Sequence, residues 1–515
     1  MGLLDLFNPT GTVRGSIALY TGAVFLLFYF LTSVHQKWRR YRFAKQHGCG
    51  SIPALPKYDP FFALDRLWLN LKTAKERKIL ETNVLRYEEY GNTFSAQRIT
   101  DPLILTREPE NVKTILSLKF NDYSMGDRLQ VFGSLLGHGI FTTDGEDWAR
   151  SRHMIRPNFI KEQVAHLDIF EELMEDLFAL IPTDGSTVDL QELFFGFTID
   201  SATEFLFGHN VHSLKKRLSQ VVDTEPDFSE AFNYSLENIV TNSRFGPLMF
   251  LNRDQKAKEA NQICHKMVEQ FVDKAMRVRE KEDEEKGANE EESRRYLFLN
   301  GLAQQTSDRT RIRDELMNVL LAGRDTTASL LSNMFFMLAK NPRIWVRLQE
   351  EIATLDGRAP TYEELRNLKY LKWCINETLR LFPVVPLNSR TAIKDTIIPV
   401  GGGPDGRSPV FVPKGTAVGY STWAMHRRKD FYGADADDFR PERWEHLRPG
   451  WEYLPFNGGP RICVGQQYAL TEASYVTTRI AQRYSVLESR DPGPWEEKLT
   501  LTLSSHNGTQ VSLRH

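Results

Sequence analysis

A chain of 515 residues with 65 Lys and Arg against 67 Asp and Glu carries a net charge of only -2. Such a balance gives no electrostatic footprint for nucleic acid or another polyanion. The four cysteines (Cys49, Cys264, Cys374, Cys463) are too scattered for a disulfide framework or a cysteine-cluster metal site, which suits a reducing compartment or a membrane protein whose bulk faces one. Length alone would allow about three domains, but no Gly/Ser- or Pro-rich linker and no internal repeat divides the globular part. The division that does emerge is residues 1–50, an apolar stretch with a basic linker, and residues 51–515, the globular domain.

In chain order, the first element is Gly15 to Val34, a run of residues without a charge. As a helix it spans about 30 Å, the thickness of a bilayer's hydrocarbon core. A signal peptide would have a shorter apolar run and a small-x-small cleavage site. Lys37, Arg39, Arg40, Arg42 and Lys45 follow the span and Arg14 alone precedes it. The positive-inside rule then leaves the bulk of the chain cytosolic. Val278 to Arg295 is a charged run expected to be a solvated helix end and loop. Arg311 to Lys340 reads as a long helix ended by Asn341-Pro342, and Leu365 to Phe382 as another stopped by Pro383. Leu499 to Ser504 and Thr509 to Leu513 flank His506-Asn-Gly508, the signal of a hairpin. The chain therefore reads as mainly α with small β-sheets.

One cysteine stands apart. Phe456-Asn-Gly-Gly-Pro-Arg-Ile-Cys-Val-Gly465 sets Cys463 in a loop of small residues, immediately before the helical pattern Gln466 to Tyr484. Gly458 and Gly459 allow a backbone turn where a side chain would clash. The positive end of the following helix favours a thiolate, the form that binds a metal. Upstream, Ala322-Gly-Arg-Asp-Thr-Thr327 interrupts the long helix with a glycine costing about 1 kcal/mol relative to alanine. The adjacent carboxylate and hydroxyl of Asp325 and Thr326 are a pair able to relay protons.

The cysteine loop resembles the haem-binding loop of the cytochrome P-450 haem-thiolate monooxygenases, Phe-x-x-Gly-x-Arg-x-Cys-x-Gly, at every fixed position. The resemblance implies that family's fold, here preceded by a single N-terminal transmembrane helix. It implies heme b with Cys463 as axial thiolate, which favours O–O cleavage over oxygen carriage. It makes Asp325 and Thr326 catalytic, with Gly323 leaving room for oxygen. Trp148 and Arg152 of Trp148-Ala-Arg-Ser-Arg152, together with Arg390 and Arg461, match the family's contacts to the haem propionates. Glu377, Arg380 and Arg443 match its buried ionic triad, a structural feature. Gly401-Gly-Gly403, Arg324 and the segment Ala434 to Trp444 are similar to the fungal membrane-bound branch that hydroxylates alkanes and long-chain fatty acids.

That resemblance implies an apolar small-molecule substrate, with Ser124 to Leu136, Phe228 to Asn242, Val384 to Asn388 and Leu501 to Ser505 lining its pocket. Oxidation of a polyketide or other specialised metabolite is the alternative. A redox-neutral haem-thiolate isomerase and a haem sensor are the readings from other classes, neither of which needs the Asp325–Thr326 pair. The chain offers no flavin or nicotinamide region, so electrons are expected from a separate protein on the same membrane surface; the resemblance implies an NADPH-dependent flavoprotein reductase at the endoplasmic reticulum membrane. Arg427-Arg-Lys429, Arg440 and Arg448 are the expected basic patch for it.

Overall fold

The computed structural model describes residues 9–59, 61–99, 101–159, 167–219, 228–284 and 297–515. The helices that build the site are α1 (Pro9–Gln46), α2 (Leu64–Lys75), α3 (Gly145–Ile155), α4 (Leu190–Phe207), α5 (Phe228–Phe245), α6 (Gln255–Glu284), α7 (Arg309–Lys340), α8 (Lys369–Leu381) and α9 (Gln466–Arg483). The expected charged run falls at the end of α6 and then largely outside the described residues.

α7 is the axis of the molecule. The Asp308 carboxylate accepts the Arg311 amide at 3.0 Å and caps its start. From Ile312 to Ala339 nearly every side chain is buried, polar ones included, so the helix must be covered on all sides. Two apolar clusters do this. One takes Leu316, Val319 and Leu320 of α7 together with Phe228, Phe232 and Ile239 of α5. The other takes Ala328, Leu331 and Phe335 together with Phe194 of α4 and Tyr475 of α9. They part between Leu321 and Ala328, where the sequence turns polar at Ala322–Thr327.

The largest sheet is β1 (Thr93–Arg98), β2 (Asp101–Thr106), β3 (Tyr123–Ser124), β4 (Leu387–Ala392) and β5 (Ala417–Ser421), in the spatial order β1-β2-β5-β4-β3. β2 pairs parallel with β5, and the other pairings are antiparallel. A separate hairpin, Thr396–Gly402 with Ser408–Val412, explains the glycine run. A Cβ on Gly402 would stand 2.7 Å from the Pro409 carbonyl oxygen and 2.9 Å from that of Gly50.

Two expectations are corrected. The region from Leu365 to Phe382 is two helices: Thr361 and Glu364 close a capping box at Tyr362–Asn367, and the chain breaks at Leu368 before α8. The C-terminal strands do not form a hairpin around Asn507-Gly508. Glu497–Leu499 pairs with Leu503–Ser505, whereas Gln510–Arg514 crosses to Val486–Ser489 and Val188–Asp189. The Asp189 carboxylate draws the chain that way by accepting the amides of Thr509 (2.8 Å) and Gln191 (2.9 Å).

α1 carries the expected span as continuous helix, with side chains described from Tyr20 onward. Among the described residues no helix is long and apolar enough to cross a membrane. From Val24 to Leu31 its apolar side chains are exposed, Phe25 at 68% and Phe28 at 66%. The basic segment after them docks: Arg40 meets Asp395 at 3.3 Å, and the ring of Phe43 lies 5.6 Å from that of Phe411.

Candidate functional site

The cysteine loop is shaped by contacts that only glycine permits. Gly459 adopts φ +68°, and a Cβ there would sit 2.0 Å from the Leu116 carbonyl oxygen. A Cβ on Gly458 would meet the Trp451 ring at 2.8 Å. The 3₁₀ turn Gly459–Arg461 follows, and the Cys463 amide donates back to Phe456 O at 3.0 Å, closing the loop. α9 begins three residues later. Cys463 is the exposed cysteine of the four; Cys264 and Cys374 are buried and Cys49 is half-buried. Burial pushes the Cys264 thiol up to about 12 and also raises the Cys374 thiol well above its ordinary value, so both are inert packing. Enclosure also raises the Cys463 thiol, but here the Gly465 amide and the Arg152 guanidinium pull the other way. A bound cation would complete the shift to thiolate. Among the described residues no three His, Cys, Asp or Glu side chains gather to hold a metal ion. An iron at Cys463 would therefore have to bring its other ligands with it, as a porphyrin does.

The residues expected at the propionates converge on this loop. Arg152, on α3, donates to Ile462 O at 3.0 Å. Trp148, one turn earlier, lies under the Arg461 guanidinium, 4.5 Å from ring centre to carbon. Arg461 also donates to Thr143 O (2.7 Å) and Asp144 (2.8 Å). Arg390 enters from β4, 3% exposed, and its Nε finds no partner.

Sequence reasoning missed a fourth cation, Arg128, at the head of the helix Arg128–Leu136. It donates to Asn388 Oδ1 at 2.8 Å. Burial, then Arg390, push its guanidinium down to about 9; burial likewise lowers Arg461 to about 10. Among the described residues the group is short of negative charge, since its one ion pair there is Arg461 with Asp144. Two carboxylates beside the loop would satisfy it, so the residues present fit a haem with its propionates. The signal in the sequence was slight: a lone cation heading an apolar helix.

On α7 the motif is locked into its own helix. Arg324 and Asp325 form a buried ion pair at 2.7 Å, each 5% exposed in its side chain. The Arg324 guanidinium lies over Phe195 and Phe232, at 5.1 and 5.7 Å. Burial raises the Asp325 carboxyl despite Arg324, and Lys498 acts in the same direction as Arg324. Thr326 Oγ1 donates to Ala322 O at 2.6 Å, so its lone pairs remain available as acceptors. A Cβ on Gly323 would meet Ala202 Cβ of α4 at 3.3 Å, so the glycine serves close helix–helix approach as well. The motif and the loop share their surroundings. Val464 packs against the cluster holding Leu320 and Leu321, and Phe456 against the one holding Ala328.

The expected triad is complete. Glu377 Oε1 accepts Arg380 Nη2 (2.8 Å), Arg443 Nε (2.9 Å) and the Arg440 amide (2.9 Å), and Oε2 accepts Arg380 Nε and Trp444 Nε1. Only part of the expected basic patch stands free at the surface. Arg427 stacks on Trp423 at 3.4 Å and Arg428 is held by Glu108 (3.0 Å) and Asp430 (2.6 Å), so both are structural. Lys429 and Arg448 remain exposed, and Arg440 pairs with Asp435 at 2.8 Å. Of the expected pocket segments, Val131, Leu135, Phe232 and Leu236 join one cluster with Leu501 against it. Val384 and Leu503 instead join the other.

Comparison with known sequences places these features in context. The family model described as Cytochrome P-450 matches residues 60–511. The chain is 52% identical to Cytochrome P-450 monooxygenase himC of Aspergillus japonicus, over 91% of this chain and 84% of that one. It is 45% identical to Cytochrome P-450 monooxygenase fsdH of Fusarium heterosporum, over 98% and 90%. It is 42% identical to Cytochrome P-450 52A13 of Debaryomyces hansenii, over 92% and 93%.

Proposed function

Because this chain belongs to the cytochrome P-450 family, we propose that it is a membrane-anchored haem-thiolate monooxygenase acting on a long-chain alkane or fatty acid. It inserts one atom of dioxygen into a terminal C–H bond and reduces the other to water, with two electrons delivered from NADPH through a flavoprotein reductase. The haem, when bound, supplies the activation of oxygen. Every other contribution comes from this chain. Cys463 ligates the iron, and Trp148, Arg152, Arg390 and Arg461 hold the propionates, joined by Arg128. Thr326 Oγ1 presents its lone pairs toward the oxygen side and hands on protons there. Asp325, whose burial raises its affinity for protons, is the reservoir behind it. The ion pair with Arg324 fixes that carboxyl in position.

Residues 1–50 form the anchor, with the span at about residues 15–34 in the endoplasmic reticulum membrane, and residues 51–515 form the cytosolic catalytic domain. The exposed apolar side chains of α1 support this reading. The single observation that carries the function is the convergence of four arginines, short of anions, on an accessible cysteine. Product analysis of the reconstituted full chain with a panel of alkanes and fatty acids tests it. Terminal alcohols formed with matching oxygen and NADPH consumption are the expected result. Activity confined to larger metabolites would support the specialised-metabolite alternative, and turnover without oxygen consumption would support an isomerase.

A further inference from the structure

A second cationic recess lies apart from the cysteine loop. It is a cavity of about 210 Å³ between α2, the β1–β2 turn and the C-terminal end of α5. Its apolar wall includes Leu67, Leu71 and Ile99, and its charged lining is three arginines: Arg86, Arg98 and Arg244. Among the described residues no Asp or Glu lines it. Arg98 is already paired, with Asp127 at 2.9 Å and Asp101 at 3.5 Å, and lies within 4 Å of where a Cβ on Gly246 would stand. Among the described residues the other two have only neutral hydrogen-bond partners. Arg86 donates to Asn70 Oδ1 at 3.1 Å, and Arg244 to Leu499 O at 3.3 Å. The carboxylate facing Arg244, Glu497, is occupied by the Ile79 and Leu80 amides at 2.6 and 2.8 Å. Arg66 faces Arg86 with the same sign of charge. Arg86 is half-buried and Arg244 exposed, and among the described residues neither guanidinium pairs with a carboxylate.

The surroundings say what kind of anion. Phe61, Trp68 and Phe250, in the segments flanking the recess, are 74%, 64% and 66% exposed, so it opens among apolar side chains. From Arg244, α5 runs inward to Phe232, which lies against Arg324. Those 12 residues of helix cover about 18 Å, the reach of a long alkyl chain. Beyond the Leu499 carbonyl that Arg244 holds, Leu501 packs against the same cluster as Val464, the neighbour of Cys463.

We propose that this recess holds the carboxylate of a long-chain acid, with Arg86 and Arg244 as its ligands, while the alkyl chain extends along α5 toward the cysteine loop. The inference rests on the monooxygenase reading for the fate of the chain, but not for the binding of its head.

The test uses the haem-loaded full chain in phosphatidylcholine nanodiscs, read two ways: equilibrium binding of radiolabelled dodecanoic acid, and the haem Soret shift with dodecanoic acid, dodecan-1-ol and methyl dodecanoate. Arg86→Gln and Arg244→Gln should each weaken the acid on the order of tenfold and leave the alcohol and ester within about twofold. Arg86→Lys should recover part of the loss, which a folding defect would not. Acid affinity that is unchanged, or lost in step with the alcohol, overturns the proposal. Arginine-dependent acid binding without a Soret shift upholds the recess and removes the substrate reading. If the variants instead lose only flotation with phosphatidylserine vesicles, the recess is a lipid-headgroup site and the proposal is overturned.

Discussion

At the scale of single residues, the chemistry depends on polar groups held where packing stops. Thr326 Oγ1 donates a hydrogen bond to Ala322 O and leaves its lone pairs free. Thr326→Ala should therefore keep haem and substrate binding yet divert at least half of the electrons into peroxide. Peroxide release equal to that of the unaltered enzyme would remove Thr326 from proton delivery. A neighbouring carboxyl gives a pH signature instead. Glu472 on α9 is 1% exposed, faces the Ser201 and Thr327 hydroxyls, and has no hydrogen bond of ordinary length. Burial raises it from 4.5 to about 7. Between those values the folded chain keeps a proton that the unfolded chain releases, so stability falls as pH rises through that window, by up to about 3 kcal/mol. Glu472→Gln should abolish this slope in thermal unfolding compared at pH 5 and pH 8. Parallel melting shifts in the two proteins would contradict it.

At the scale of elements, α7 and α4 approach at Gly323 and Ala202. Gly323→Val should cost about 1–3 kcal/mol by overpacking, with partial recovery in the double variant with Ala202→Gly and unchanged coupling of electrons to product. Recovery of stability with coupling still lost would place Gly323 at the oxygen site as well. This contact also marks the limit of what the sequence discloses. The cysteine loop was legible because its constraints are local: two glycines, a cysteine and a helix start within one segment. The triad was legible through its resemblance to the family's Glu-x-x-Arg and Pro-Glu-Arg-Trp segments. Arg128 was missed because its partners, Asn388 and Arg390, lie far along the chain. Arg427 was misjudged because a basic triplet reads as surface until Trp423 is seen beneath it. The strand at Gln510–Arg514 was misassigned for the same reason, since its edge is completed by residues near Val188.

At the scale of the molecule, electrons must enter near the cysteine loop. Arg156, exposed beside Arg152, and Arg448 offer unburied charge there and in the approach to the loop. Arg156→Glu with Arg448→Glu should lower reductase-driven turnover on the order of tenfold and steepen its fall with salt. Peroxide-driven turnover should be spared; equal loss of both would place these residues outside the docking surface. The central claim, that Cys463 gives the iron a thiolate, has its most direct test in the spectrum of the reduced, CO-bound full chain. The unaltered protein should show the red-shifted Soret band of thiolate ligation. Cys463→Ser should lose that band while keeping its far-ultraviolet circular dichroism. A Cys463→Ser protein that retains the red-shifted band would contradict the assignment.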